Sequence, residues 1–146
     1  MANWCKNFLR VTGPERDMAR FQKPAAAVAP RPKTATAPPP EPFSFRRPVP
    51  LPATPQTTTT KTGLGSPQHE WGCRGDACRS ELVETWDGGR LYRFATPWNP
   101  PMEFLRQVSA RWPTLVLILD YDEHMMAFRG VACAQAGKLQ HSHLDL

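Results

Sequence analysis

No stretch of this chain stays apolar for long. The longest strongly aliphatic run, Leu115 to Leu119, covers five residues, against the roughly 20 that a helix needs to cross a bilayer. The opening Met1-Ala2-Asn3-Trp4-Cys5-Lys6 holds no apolar core of signal-peptide length, so a soluble, cytoplasmic chain is expected. Cysteine is scarce. Cys5, Cys73, Cys78 and Cys133 are expected as free thiols in that compartment, not as a disulfide framework. Also missing are a Gly-rich phosphate loop, a nucleophile elbow and the residue order of a hydrolytic triad. No catalytic residue and no cofactor are therefore expected.

Proline, by contrast, is abundant and concentrated: eleven fall from Pro24 to Pro55. Each fixes φ and removes a backbone donor, so this segment supports neither a helix nor a central strand. It reads as a linker or disordered arm over residues 24–67, between a strand–helix unit at 1–23 and a domain at 68–146. Phe43-Ser44-Phe45 and Val49-Pro50-Leu51-Pro52 interrupt the low complexity. Two phenylalanines two residues apart point the same way from an extended chain, so this piece is expected to lie against the folded part. Charge is uneven too. Residues 1–65 carry ten Lys/Arg against three acids, and residues 66–146 carry eight against ten, so any affinity for polyanions would sit at the front.

The remaining segments read as alternating elements. Asn3–Thr12 is a strand ended by Gly13-Pro14, and Glu15–Lys23 a short helix that Pro24 stops. Ser80–Trp86 and Leu91–Thr96 form a hairpin across Asp87-Gly88-Gly89-Arg90. Asn99 and Pro100 start a helix with Phe104, Leu105, Val108 and Trp112 on one face. Thr114–Tyr121 is apolar at both parities, as expected of a strand covered on both faces or paired on both edges. Val108 of the helix and Ile118 of this strand are expected core positions, where an introduced carboxylate would unfold the domain. Ala127–Ala134 and Lys138–His143 close the chain as a strand or hairpin around Ala136-Gly137. This order predicts an α+β, ferredoxin-like fold. Its antiparallel sheet carries two helices on one face and an extra C-terminal strand or hairpin, interrupted by the Pro-rich disordered arm.

Several motifs are shared with known proteins. Met1-Ala2-Asn3-Trp4-Cys5-Lys6-Asn7, Val11-Thr12-Gly13-Pro14, Phe43-Ser44-Phe45, Trp71-Gly72 and Tyr92 to Pro101 together resemble the Api-like phage proteins. Trp112-Pro113, Tyr121-Asp122-Glu123 and Phe128-Arg129-Gly130 extend the match. These are uncharacterised proteins of bacteriophages, plasmids and proteobacterial genomes. The resemblance implies a ferredoxin-like C-terminal domain and a mobile-element setting, and it supplies no activity. The chain departs from the family where the Pro/Thr-rich arm replaces a longer, partly helical middle. It departs again where Trp71-Gly72 continues with Cys73-Arg74-Gly75-Asp76 in place of Lys and a second Trp.

The candidate chemistry is thin. His69, Cys73 and Cys78 have loose metal-ligand spacing with no second pair, and His141 and His143 share one face of a strand; no metal site is expected. Asp120, Asp122 and Glu123, beside His124, end an apolar strand, and a charged turn is a simpler account than a metal-dependent hydrolase or nuclease. The leading expectation is a non-enzymatic accessory protein of a phage or plasmid. It would bind an unknown protein partner, host or phage, through Trp71, Trp86 and Trp98 as aromatic anchors. The alternative is single-stranded nucleic-acid or RNA binding through Arg31, Lys33, Arg46 and Arg47 of the arm, with Tyr92 and Phe94 as stacking rings.

Overall fold

Alternation of side chains decides the first strand, and the first strand decides the sheet. The structure, a computed structural model, describes residues 3–27, 41–52 and 65–146. Strand β1 (Trp4–Thr12) buries Cys5, Asn7, Leu9 and Val11 and exposes Trp4, Lys6, Phe8 and Arg10. The other strands are β2 (Cys78–Trp86), β3 (Gly89–Pro97), β4 (Val116–Glu123), β5 (Phe128–Gln135) and β6 (Lys138–Asp145). They form one sheet in the order β2-β3-β1-β4-β5-β6, antiparallel throughout. The front strand thus lies in the middle, between β3 and β4. The expected C-terminal hairpin extends the sheet beyond β4, so the apolar β4 is paired on both edges.

Helices α1 (Glu15–Ala25) and α3 (Met102–Arg111) cover one face only. Met18 and Phe21 from α1, with Phe104, Leu105 and Val108 from α3, join Leu9, Tyr92, Leu117 and Leu119 in one core. The buried parity of β4 is Leu117, Leu119 and Tyr121; Ile118 is half-buried, a correction to its expected core role. Two helix ends differ from the sequence reading. Pro24 does not stop α1, which runs on to Ala25; the missing N–H falls in the last turn, and Ala25 is fully buried there. Helix α3 starts after Pro101, not at Asn99. Each of the two consecutive prolines excludes helical geometry from the residue before it.

The segment around Phe43 is core. Residues 28–40 and 53–64, including Arg31 and Lys33, lie outside the described residues, whereas Phe43, Phe45 and Val49 are fully buried. Phe43 stacks on Phe94 with centroids 4.9 Å apart and touches Tyr92 at 4.7 Å; Phe45 meets Phe104 at 4.2 Å. Asp76 fixes the segment. Its carboxylate accepts from the Ser44 hydroxyl (2.6 Å) and from the backbone N–H of Phe45 (2.7 Å) and Ala77 (2.8 Å). A short helix absent from the sequence reading, α2 (Pro67–Trp71), is capped by Ser66, which accepts from His69 N–H at 3.2 Å. It delivers Trp71 onto Phe45, with the indole N–H donating to Val49 O at 2.8 Å.

Truncating Phe43 to Ala should therefore cost about 3–5 kcal/mol, read as a fall in the denaturant midpoint. Tyr92→Phe should cost nothing in the same assay. Its buried hydroxyl has no hydrogen-bond partner among the described residues, and removing an unpaired polar group is neutral or stabilising.

Candidate ligand face

The helices leave the other face of the sheet open, and strand register fills it. Across its middle, Phe8 of β1 lies beside Arg93 of β3 and Asp120 of β4, and Lys6 beside Ala95 and Asp122. Farther out, β5 adds Val131 and Arg129 opposite those two aspartates. Trp4 and Phe8 are each 41% exposed, which for two large rings on a central strand is the unusual feature of this surface.

Between β1 and β2 this face sinks into a groove of about 400 Å³, lined by Trp4, Lys6, Phe8, Arg79, Arg93 and Ala95. Three side-chain choices make it. Ala95 is small, so its position on β3 becomes floor. Trp4 and Phe8 stand as walls on the neighbouring strand. Arg79 comes from a register shift in β2 between Cys78 and Glu81 and has a left-handed backbone, φ 50°. That conformation costs a non-glycine residue about 1–2 kcal/mol. Such bulges re-aim side chains, and here the guanidinium is carried over the Trp4 ring, 4.9 Å from its centroid. Every charged side chain lining the groove is a cation. Arg93 is paired with Glu81 at the rim, and the acids Asp120 and Asp122 lie on the β4 side.

None of the expected site residues builds this groove, apart from a contribution of Phe94 to its lining. Tyr92 and Phe94 have the opposite parity, and Phe43 covers their rings on the helix-bearing side, so they are no stacking platform. Trp71 is fully buried and is no exposed anchor. Trp86 is half-buried because its ring lies over Gly89, where a Cβ would come within 2.1 Å of the indole. Trp98 is half-buried too and sits under Arg74, 5.8 Å from its guanidinium. Arg46 lies over Trp71 and pairs with Asp76 at 3.5 Å, while Arg47 donates to Lys23 O at 3.2 Å. Both cations are exposed yet occupied by α1 and the α2 region. Sequence reasoning missed Trp4 and Phe8 as surface groups. The signal was available: in WCKNFLRV, Cys5, Leu9 and Val11 share one parity, and both rings share the other with Lys6 and Arg10.

The reactive groups do not converge. Asp120 and Asp122 face the open side, but Glu123 points to the other and is spent on the turn, accepting from the N–H of Met125 (2.9 Å) and of Met126. Among the described residues no group of three or more His, Cys, Asp and Glu is placed to hold a metal ion. His69 bonds Glu70 at 3.0 Å, and the Cys73 and Cys78 thiols donate to the carbonyls of Gly75 (3.3 Å) and Asp76 (3.4 Å). Burial pushes Cys5 and Cys73 up to about 12, which leaves too little thiolate for a nucleophile. All four cysteines are free. In folded protein at pH 8, iodoacetamide should label Cys133 and Cys78 before Cys5 and Cys73, which react only after denaturation; peptide mass spectrometry reads the order.

His141 and His143 are organised, though not around a metal. Tyr121 lies over Gly130, where a Cβ would come within 2.3 Å of the phenol oxygen, and its hydroxyl sits between the two imidazoles. His143 Nε2–H donates to Asp145 (3.1 Å), so Nδ1 is left to accept from the Tyr121 O–H (2.8 Å). The phenol oxygen then accepts from His141 Nε2–H. Burial, and secondarily His143, lowers the His141 pKa from 6.5. The folded chain therefore binds fewer protons than the unfolded chain just below that value. His141 contributes stability above pH 6.5 that is lost as pH falls through the lowered pKa. Between pH 7.5 and 5.5 the melting temperature should fall further for the parent chain than for His141→Gln.

Residues 77–145 match the family model described as the ferredoxin-like domain in Api92-like protein. The crystal structure of protein api92 from Yersinia pseudotuberculosis superposes with a TM-score of 0.63 at 11% identity, covering 100% of this chain and 99% of that one. At that identity the likeness establishes the fold alone. No curated protein matches the sequence. Among the described residues no helix is long and apolar enough to cross a membrane.

Proposed function

Starting from residues 77–145, which match the model of the ferredoxin-like domain in Api92-like protein, we propose that this chain is a non-enzymatic binding protein. It takes its partner on the helix-free face of the sheet. One observation carries this reading: two aromatic rings, each 41% exposed, stand on the central strand beside a groove shaped by a strained arginine. Large exposed apolar groups gathered on one surface mark interaction sites. The Arg79 side chain itself is exposed and packs into no core. A functional role for that strain accounts for it.

The tryptophans expected as anchors are ill-placed for a partner, and Trp4 and Phe8 take their place. An enzymatic reading has little support, because Asp120 and Asp122 are on one face and Glu123 is on the other. The resemblance of the opening and of Tyr92–Pro101 to phage and plasmid proteins supports an accessory role in a mobile element.

The test is a comparison of folded variants. Replacing Trp4 and Phe8 together by Ala should leave the melting curve nearly unchanged, since surface substitutions move stability by only about 0.5 kcal/mol. It should nonetheless weaken partner binding by about 2 kcal/mol or more, as interface anchors do. Quantitative affinity capture would read this, with Trp98→Ala as a control that keeps binding. Equal capture by parent and double variant would refute the open-face reading.

A further inference from the structure

Resting on that reading of the open face, we propose that the partner is single-stranded nucleic acid. Two bases stack on Trp4 and Phe8, and the phosphates run past Lys6, Arg79 and Arg93.

The charge of the groove fits such a ligand. A groove whose every charged lining residue is Lys or Arg, with aromatic walls, fits a ligand that alternates phosphate and π-surface. Asp120 and Asp122, on the β4 side, repel phosphate there and confine the backbone to the side of β3 and β2. Its ring spacing fits a single strand. Trp4 and Phe8 are four residues apart on one strand, about 13 Å at ~3.3 Å per residue. A duplex advances about 3.4 Å per base and keeps its bases stacked and paired, so it offers no two exposed base faces so far apart. A single strand with splayed bases does. Lys6 lies between the rings on the same exposed parity, where the intervening phosphates would pass.

Arg79 joins cation and ring in one place. Its planar, delocalised guanidinium lies over Trp4, where a base would stack. A base stacked on Trp4 would bring its own phosphate within reach of this guanidinium. A register shift and a left-handed backbone at this one arginine place it there. A generic polyanion would need the cation but not the stacked position over an indole.

The experiment uses the full chain and fluorescently labelled 12-nucleotide single-stranded DNA and RNA, with the matching duplex, read by anisotropy. Single strands should bind and the duplex should bind much more weakly. The logarithm of affinity should fall with the logarithm of salt at a slope of about −1.4, for Lys6 and Arg79 at ~0.7 each, since Arg93 is already paired with Glu81. Lys6→Gln should make that slope shallower by about 0.7. Trp4→Ala and Phe8→Ala should each lower affinity about tenfold, the value of one lost base stack, with melting curves confirming that both variants fold. The DNA and RNA arms decide which strand chemistry is preferred.

Equal affinity for duplex, or affinity unchanged in both aromatic variants, would overturn the proposal and assign the binding to nonspecific cations elsewhere in the chain. No binding of any oligonucleotide also overturns it. In that case a protein captured by the parent and lost by the Trp4, Phe8 double variant would keep the open-face reading alive. A protein captured equally by both would end that reading as well.

Discussion

Everything in this structure depends on filling one side of the sheet with Phe43 and Phe45. Two helices alone leave Tyr92, Phe94 and Phe104 without cover, because α1 and α3 are short and α2 has barely more than one turn. The Phe43–Val49 excursion closes that gap with ring contacts of 4.2 to 5.8 Å. A single half-buried carboxylate, Asp76, then fixes its path by accepting from both the excursion and the residue that leads into β2. Removing residues 24–67 as a supposed linker would take these rings out of the core. With the helical side full, the sheet has no further apolar parity to bury, and its second face is released for contact with something else.

That release is selective. Most of the open face is an ordinary checkerboard of charge, with Lys6, Asp122 and Arg129 in one row and Arg93, Asp120 and Val131 flanking Phe8 in another. Only between β1 and β2 does the pattern break into a depression with aromatic walls and uniform charge. The break traces to two local departures from regularity: a small residue at position 95 and a shifted register after Cys78. An undistorted β2 would point residue 79 along the normal alternation and leave Trp4 without its cation. Local irregularity in an edge strand is thus what turns a generic surface into a particular one.

Much of the fold was legible from the residues, and much of the site was not. Strand order followed from element order, since β1, α1, the hairpin, α3 and β4 carry clear periodicity and punctuation. The Phe43 and Phe45 pair was legible as a contact, but not which face it would cover, because a proline-rich approach has no period to orient it. The eleven prolines argued for solvent; the aromatic and aliphatic residues among them supplied enough apolar area to order residues 41–52. Tyr92 and Phe94, stacking rings only in the alternative reading, are buried instead. On a strand, moving the assignment by one residue exchanges faces, and which parity of β3 met the core was decided by a segment fifty residues upstream. Arg79 was out of reach altogether, since no sequence feature marks a left-handed arginine.

The central place of β1 has a kinetic corollary. Its ladder partners are distant in sequence: Asn7, for one, pairs in register with Phe94, 87 positions away. The middle of the sheet can form only after a long loop has closed, and nothing local repays that entropy beforehand. During synthesis β1 emerges first and must wait, with both edges unsatisfied, for β3 and then β4 to leave the ribosome. Folding of this chain is therefore gated by its topology, and the exposed Trp4 and Phe8 spend that interval on a strand with no sheet around it.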